Sequence, residues 1–306
     1  MFLFSGTSNK PLAQKVAREL KIKLGKIEIK KFSDGETYIN VLENIEGENC
    51  YVLQSGSNPA NENLMELLII IDALQRLKPK KIIVILPFYP YRRQERKVEM
   101  GEAITSELCA KLLKASGVNK LIVLDLHTKK VESYFKISFK HLTAFNLFVD
   151  YFKKLKGQTP ANISGSDPCW IVVAPDEGAF DVNNKLAKKL GLESCYIKKS
   201  RERKHDKVAR MELTGEVKGR NVIILDDEIN TGGTLMKVAF TLKQKGAKKV
   251  FFACTHGVLS GEAINKLQKS EINEIVITDS IYLPKENIFG KIKILSVANL
   301  IAGEIK

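Results

Sequence analysis

The densest chemistry in the chain lies in Leu225-Asp226-Asp227-Glu228-Ile229-Asn230-Thr231-Gly232-Gly233-Thr234. The apolar run Val222 to Leu225 leads into it. Leu235, Val238, Ala239 and Leu242 follow at helical spacing, so the segment reads as strand, tight loop, helix. Two carboxylates are expected at the strand's end, and Thr231-Gly232-Gly233-Thr234 opens the helix. Glycines let the backbone curl round a small ligand, and the free N–H groups at a helix start favour an anion. The threonines add hydroxyl donors. Asp226 and Asp227 can accept from sugar hydroxyls or bind a cation. Phosphate at one end and hydroxyls at the other describe a sugar phosphate. An ordinary βα turn would use glycine for geometry alone, but it would not explain paired carboxylates behind an apolar strand.

Other loops offer complementary groups. Lys31-Phe32-Ser33-Asp34-Gly35-Glu36 reads as a turn with two carboxylates and an aromatic ring. Pro87 to Lys97 sets Phe88, Tyr89 and Tyr91 beside Arg92, Arg93 and Arg96. Rings near a base and guanidinium groups on phosphates would suit a nucleotide; a solvated proline-rich loop is the plain alternative. Asp125-Leu126-His127 ends a strand where open α/β sheets place ligands, so His127 is a candidate metal ligand or phosphate contact. Asp176 follows another strand, as a ligand or as an N-cap. Lys198 to Lys207 contains almost no apolar residue and reads as a solvated loop, or as a lid carrying cations to a polyphosphate.

Strands and helices that alternate along the whole chain must position these loops. The alternation indicates parallel sheets with helices on both faces. Residues 157–168 form the clearest loop by composition. The 306 residues suggest about two domains, and 44% hydrophobic content suffices for sizeable cores. An echo links the halves: Gly117-Val118-Asn119-Lys120 and four apolar residues lead to His127, and Gly246-Ala247-Lys248-Lys249 and four apolar residues lead to His256. It suggests two similar domains. No signal peptide or membrane span is expected. Five scattered cysteines without a Cys-x-x-Cys pair fit a reducing cytoplasm without disulfides or zinc. A net charge of +14 is mild support for anionic ligands. Many lysines sit at strand entrances and helix ends, so neither a nucleic-acid nor a membrane partner is expected.

Taken together and in order, these loops resemble one family over nearly the whole chain: the ribose-phosphate diphosphokinases, or phosphoribosyl diphosphate synthetases. The resemblance rests on Phe32-Ser33-Asp34-Gly35-Glu36, Asn63-Leu64-Met65-Glu66-Leu67, Arg93-Gln94-Glu95-Arg96, Asp125-Leu126-His127, Pro175-Asp176, and Asp226-Asp227 with Thr231-Gly232-Gly233-Thr234. It implies an α/β fold of two similar phosphoribosyltransferase-like domains, each a mainly parallel sheet flanked by helices. Residues 1–143 would bind ATP and residues 144–306 ribose 5-phosphate, with the last helix packing back on the first domain. The implied products are 5-phosphoribosyl 1-diphosphate, for nucleotide biosynthesis, and AMP. By position, Phe32, Asp34, Gly35, Glu36, Arg93, Gln94 and Arg96 would hold ATP, and His127 and Asp176 would hold Mg2+. Asp226, Asp227, Asn230, Thr231, Gly232, Gly233 and Thr234 would hold ribose 5-phosphate. Lys199 and Arg201, matching a Lys-x-Arg spacing, would act on the transferred group, with Lys198 as the competing lysine. The resemblance also implies a cytoplasmic homo-oligomer, dimer-based with hexamers among its forms. Two departures stand out: Glu95 where many members have Asp, and Asn230 where many have Asp. Two other readings stay open, a phosphoribosyltransferase and a non-catalytic regulatory homologue.

Overall fold

The computed structural model describes residues 1–157, 169–201 and 208–306, side chains at 199–201 and 208–210 excepted. Most of the expected loop at 157–168 and the expected lid residues 202–207 therefore lie outside the described residues. The chain forms two compact units. One holds Met1–Ala144, Asp279–Tyr282 and Ser296–Lys306; the other holds Phe145–Thr278 and Leu283–Leu295.

The first unit contains β1 (Phe2–Ser5), α1 (Lys10–Leu20), β2 (Ile27–Lys31), β3 (Thr37–Val41), β4 (Asn49–Leu53), α2 (Ala60–Gln75), β5 (Lys81–Leu86), α3 (Thr105–Ala115), β6 (Lys120–Leu124) and β7 (Ser138–Leu142). Its five-stranded sheet runs β1-β4-β5-β6-β7, parallel throughout, and β2 and β3 form a separate antiparallel hairpin. The second unit contains α4 (Phe145–Gly157), β8 (Trp170–Ala174), α5 (Phe180–Leu190), β9 (Glu193–Arg201), β10 (Val208–Leu213), β11 (Asn221–Ile229), α6 (Gly233–Gln244), β12 (Lys249–Gly257), α7 (Ala263–Gln268), β13 (Glu274–Thr278) and β14 (Ile292–Leu295). Its sheet runs β10-β9-β8-β11-β12-β13-β14, with β10 alone antiparallel to its neighbour. The last helix, α8 (Ala298–Ile305), belongs to the first unit, where Lys120 Nζ donates to Glu304 at 2.7 Å.

Order and register make the units equivalent. β1-β4-β5-β6-β7 matches β8-β11-β12-β13-β14, and the β2–β3 hairpin matches β9–β10. The same asparagine clasp recurs. Ile82 N donates to Asn119 Oδ1 at 2.7 Å while Asn119 N donates to the Ile82 carbonyl at 2.9 Å; Val250 and Asn273 make the same pair, both at 2.8 Å. Asp125 Oδ2 accepts from Ala144 N after β7, as Asp279 Oδ1 accepts from Val297 N after β14. The sequence echo is therefore out of step by one strand. It aligns β6 with β12, whereas topology and the clasp align β6 with β13.

Three other expectations change. β9 continues through Arg201 rather than ending at Ile197, because Lys198 and Lys199 pair with Glu212 and Met211 of β10. The solvated loop expected from Lys198 is thus strand up to Arg201. β11 runs on to Ile229 because β12 is equally long and offers Cys254, His256 and Gly257 as partners. β7, absent from the sequence reading, alternates too weakly to show: within Ser138–Leu142 only Leu142 is buried.

The helical faces are not purely apolar. On α5 the buried set is Asn183, Leu186, Ala187 and Leu190, while Val182, which is also at helical spacing from Leu186 and Leu190, is exposed. On α2 it is Asn63, Glu66, Leu67, Ile70, Ile71 and Leu74. Both sets keep i, i+3, i+4, i+7 spacing but include polar side chains. Each unit has its own apolar core, one round Val52, Ile70 and Val84 and one round Val173, Ile224 and Val238.

Candidate active site

In the second unit the site is built where β11 passes into α6. Asn183 on α5 is fully buried and grips β11 just before the carboxylates: Nδ2 donates to the Leu225 carbonyl at 2.7 Å, and Oδ1 accepts from Leu225 N at 2.9 Å. Both backbone groups of one residue are thus held by one side chain. The next residues, Asp226 and Asp227, are half-buried, and Asp226 Oδ1 accepts from Asp227 N at 2.9 Å. Burial pushes the Asp226 carboxyl up to about 7, and the charges of Asp227 and Asp176 add to the effect. Asp176, after β8, also accepts from Ala179 N at 3.1 Å through Oδ1. Three carboxylates therefore share one electrostatic neighbourhood that favours a cation or hydroxyl donors.

Beyond them the loop opens. Gly232 takes φ +73°, a left-handed conformation that costs glycine little, and a Cβ there would press within 3.2 Å of Leu267. No side chain caps α6 and no acid lies in its first turn. Its initial N–H groups have no intrahelical acceptor, and the dipole there is positive. Thr231, Gly233 and Thr234 are exposed around this end. Asn230 is half-buried at the loop's start.

In the first unit the expected nucleotide residues gather round the start of α2. The turn between β2 and β3 closes through Phe32 N to the Glu36 carbonyl at 2.8 Å, with Gly35 at φ +93° and Asp34 Oδ1 accepting from Glu36 N at 3.1 Å. Phe32 stands 55% exposed, in a T-shaped contact with Tyr38, so much of its ring is open to a ligand. Lys31 pairs with Glu62, and Tyr91 donates to Asn61. Two neighbouring residues of α2 therefore bring the Phe32 turn and the arginine loop to one place. Arg93, Gln94 and Arg96 are exposed there, with Gln94 Oε1 accepting from Thr105 Oγ1 at 2.6 Å.

Arg92, beside them, is fully buried. It donates to the Asp125 carbonyl at 2.9 Å and lies over the Phe88 ring at 5.1 Å. That bond ties the arginine loop to the segment bearing His127, which is exposed after β6. Leu126 N donates to His141 Nε2 at 3.1 Å, and His141 Nδ1 meets Glu132 at 2.6 Å. Nothing in the sequence separated Arg92 from its cluster. Asn183 had a signal, a polar residue at a core position of an amphipathic helix.

His127 lies in the first unit and Asp176 in the second. Among the described residues no three His, Cys, Asp or Glu side chains converge tightly enough to hold a metal ion by themselves. Lys198 is exposed on β9; the side chains of Lys199 and Arg201 lie outside the described residues.

Both units have the phosphoribosyltransferase-like order of a parallel sheet flanked by helices, and in the second that sheet ends in a carboxylate pair and a glycine-opened helix start. Comparisons with known proteins narrow it further. Residues 1–117 match the family described as the N-terminal domain of ribose phosphate pyrophosphokinase, and residues 188–306 the phosphoribosyl synthetase-associated domain. A ribose-phosphate pyrophosphokinase of Fusobacterium nucleatum is 46% identical over 99% of this chain and 93% of its own length. Ribose-phosphate pyrophosphokinase 1 of Streptococcus pneumoniae is 41% identical over 99% and 92%. The crystal structure of phosphoribosylpyrophosphate synthetase from Mycobacterium smegmatis superposes with a TM-score of 0.90, at 35% identity, over 99% of this chain and 97% of that one. The chain belongs to the ribose-phosphate pyrophosphokinase family. No helix among the described residues is long and apolar enough to cross a membrane.

Proposed function

We propose that this chain transfers the diphosphoryl group of ATP to the anomeric hydroxyl of ribose 5-phosphate. The products are 5-phosphoribosyl 1-diphosphate, for nucleotide biosynthesis, and AMP. The observation that carries the reading is the uncapped, acid-free start of α6 directly behind the paired carboxylates of β11. One end suits a phosphate, the other sugar hydroxyls.

In this reading Asn230, Thr231, Gly232, Gly233 and Thr234 take the 5-phosphate, and Asp226 and Asp227 accept from ribose hydroxyls. Phe32 lies against the adenine. Asp34, Gly35 and Glu36 hold the nucleoside, and Arg93, Gln94 and Arg96 hold its phosphates. The anomeric oxygen bonds to the β-phosphorus and gives up its proton. The bond from that phosphorus to the bridging oxygen breaks, and AMP leaves with that oxygen. Lys199 and Arg201 stabilise the charge on the group in flight, as positioning and electrostatics do in phosphoryl transfer.

Magnesium fits the donor chemistry. Burial raises the Asp226 carboxyl and the charges of Asp227 and Asp176 add to it, so three carboxylates lie together, and Mg2+ takes one or two carboxylates together with substrate phosphates. His127 and Asp176 would hold it, with substrate oxygens completing the set, and it would neutralise charge on the phosphates. The same reading places the protein in the cytoplasm as a homo-oligomer built from dimers. A solution mass several times that of one chain supports this, and a monomer mass contradicts it.

The test is a product assay with ATP, Mg2+ and ribose 5-phosphate. AMP and a diphosphorylated sugar should form in equal amounts, each requiring both substrates. Formation of ADP, or AMP release independent of the sugar, contradicts the proposal.

A further inference from the structure

The segment between β12 and α7 is tied to the start of the anion loop at three points. Leu259 N donates to the Ile229 carbonyl at 3.0 Å, Ser260 N donates to the Asn230 carbonyl at 3.2 Å, and the Ser260 hydroxyl donates to Asn230 Oδ1. Leu259 is buried and holds φ +50°, a left-handed conformation that costs a branched residue of order 1 kcal/mol and persists only where its surroundings enforce it. The surroundings here are the two backbone bonds to Ile229 and Asn230. An amide oxygen can only accept, so the Ser260 hydroxyl must be the donor, and its bond occupies Asn230 Oδ1. Asn230 Nδ2 has no hydrogen-bond partner among the described residues, and it sits one residue before the open N–H groups of Thr231 to Gly233.

We propose that Ser260 is a positioning residue: by holding Asn230 Oδ1 it fixes the amide so that Nδ2 serves as an additional neutral donor to the phosphate of the sugar substrate. The inference rests on the proposed function in naming that substrate. Its physical content is wider, since any phosphate monoester seated on the loop would meet the same donor. A carboxylate in place of Asn230 would present a second oxygen instead of an N–H to the phosphate, adding repulsion where this chain has attraction. The Asn230–Ser260 pair therefore sets how tightly the phosphate end is held, without touching the anomeric carbon.

The test is a double-mutant cycle read by kinetics and by calorimetric titration of ribose 5-phosphate without ATP. Ser260→Ala should raise KM and Kd for ribose 5-phosphate about five- to tenfold, the worth of one hydrogen bond to an ionised group. kcat and KM for ATP should stay within about twofold. Ser260→Thr should restore affinity. Asn230→Ala should weaken binding similarly, and adding Ser260→Ala to it should change nothing further. Asn230→Asp should weaken binding more at pH 8 than at pH 5.5, where the phosphate carries less charge. Melting curves establish that each variant folds; if Ser260→Ala does not, Asn230→Ala and Asn230→Asp still decide. Unchanged affinity in these variants, additive losses in the double variant, or a fall confined to kcat would overturn the proposal. Calorimetry reads the proposal even if the wild type releases no AMP, so failure of the proposed reaction and failure of this inference are separate results.

Discussion

The same place in the fold carries opposite chemistry in the two units. Strand register equates Leu53, Gln54 and Ser55 at the end of β4 with Leu225, Asp226 and Asp227 on β11, and Thr7 after β1 with Asp176 after β8. In the first unit this place is closed. Gln54 is fully buried, donating to Glu66 at 2.8 Å and accepting from Ser8 Oγ at 2.6 Å, while Glu66 takes both Thr7 N and Thr7 Oγ1 at 2.7 Å. Each donor faces an acceptor, and Glu62 lies in the first turn of the following helix. In the second unit like charges face one another, and the following helix begins with two glycines and no acid. A satisfied polar cluster fits a structural role, whereas half-buried, neighbouring carboxylates fit the proposed ligand site. The two units share one scaffold, and in the proposed reading the difference in a few side chains decides which of them holds the sugar.

The hairpins divide in the same way. β2–β3 carries the Phe32 turn and stands apart from its sheet; β9–β10 is fused to the sheet edge and carries the Lys199 segment. In the proposed reaction one serves the base and the other the transferred group.

Five variants would break or sharpen this contrast. The largest effect is expected from Asp226→Ala with Asp227→Ala, which should lower kcat/KM for ribose 5-phosphate by about 10³ or more, with nucleotide affinity kept. Lys199→Ala should lower kcat by roughly 10² with KM for ATP nearly unchanged, while Phe32→Ala should mainly raise KM for ATP. Steady-state kinetics with each substrate varied distinguishes the two hairpins. If Lys199→Ala leaves turnover intact, the role passes to Lys198 or disappears.

Gln54→Ala should act on stability alone. It removes one donor from buried Glu66, which keeps its two bonds from Thr7, and the acceptor of the Ser8 hydroxyl, and should cost about 1–3 kcal/mol in denaturant unfolding, with KM values unchanged. A large rise in KM for ribose 5-phosphate would mean that the first unit's position is not merely structural. The smallest effect concerns pH. Because the folded protein holds the Asp226 proton up to about 7, against an ordinary 3.8, its contribution to stability is complete below about pH 4 and is lost as pH rises through 7. Asp226→Asn should therefore melt at a higher temperature than wild type at pH 8 and close to wild type at pH 4. The reverse order would contradict the stated repulsion.

Much of this was legible in the sequence. Apolar runs and helical spacing placed the main strands and helices, and glycines with carboxylates marked the loop from Asp226 to Thr234. Sheet edges were less legible: β7 buries little, and the ends of β9 and β11 depend on partners distant in sequence. Polar side chains inside helical faces were hidden for a different reason. Asn63, Glu66 and Asn183 occupy core positions on α2 and α5, where only a tertiary hydrogen bond makes a polar residue favourable. Arg92 differs from Arg93 only in what surrounds it. The repeat was visible but misaligned, because Gly-x-x-Lys before four apolar residues falls on β6 and β12, which are not equivalent strands of the two sheets.

The most direct test of the contrast between the units is calorimetric titration of ribose 5-phosphate into the wild type, Gln54→Ala and the Asp226→Ala, Asp227→Ala double variant. The account predicts one site per chain in the wild type, the same site and affinity in Gln54→Ala, and no measurable binding in the double variant. Two sites per chain, or binding that survives loss of both carboxylates but not of Gln54, would contradict it.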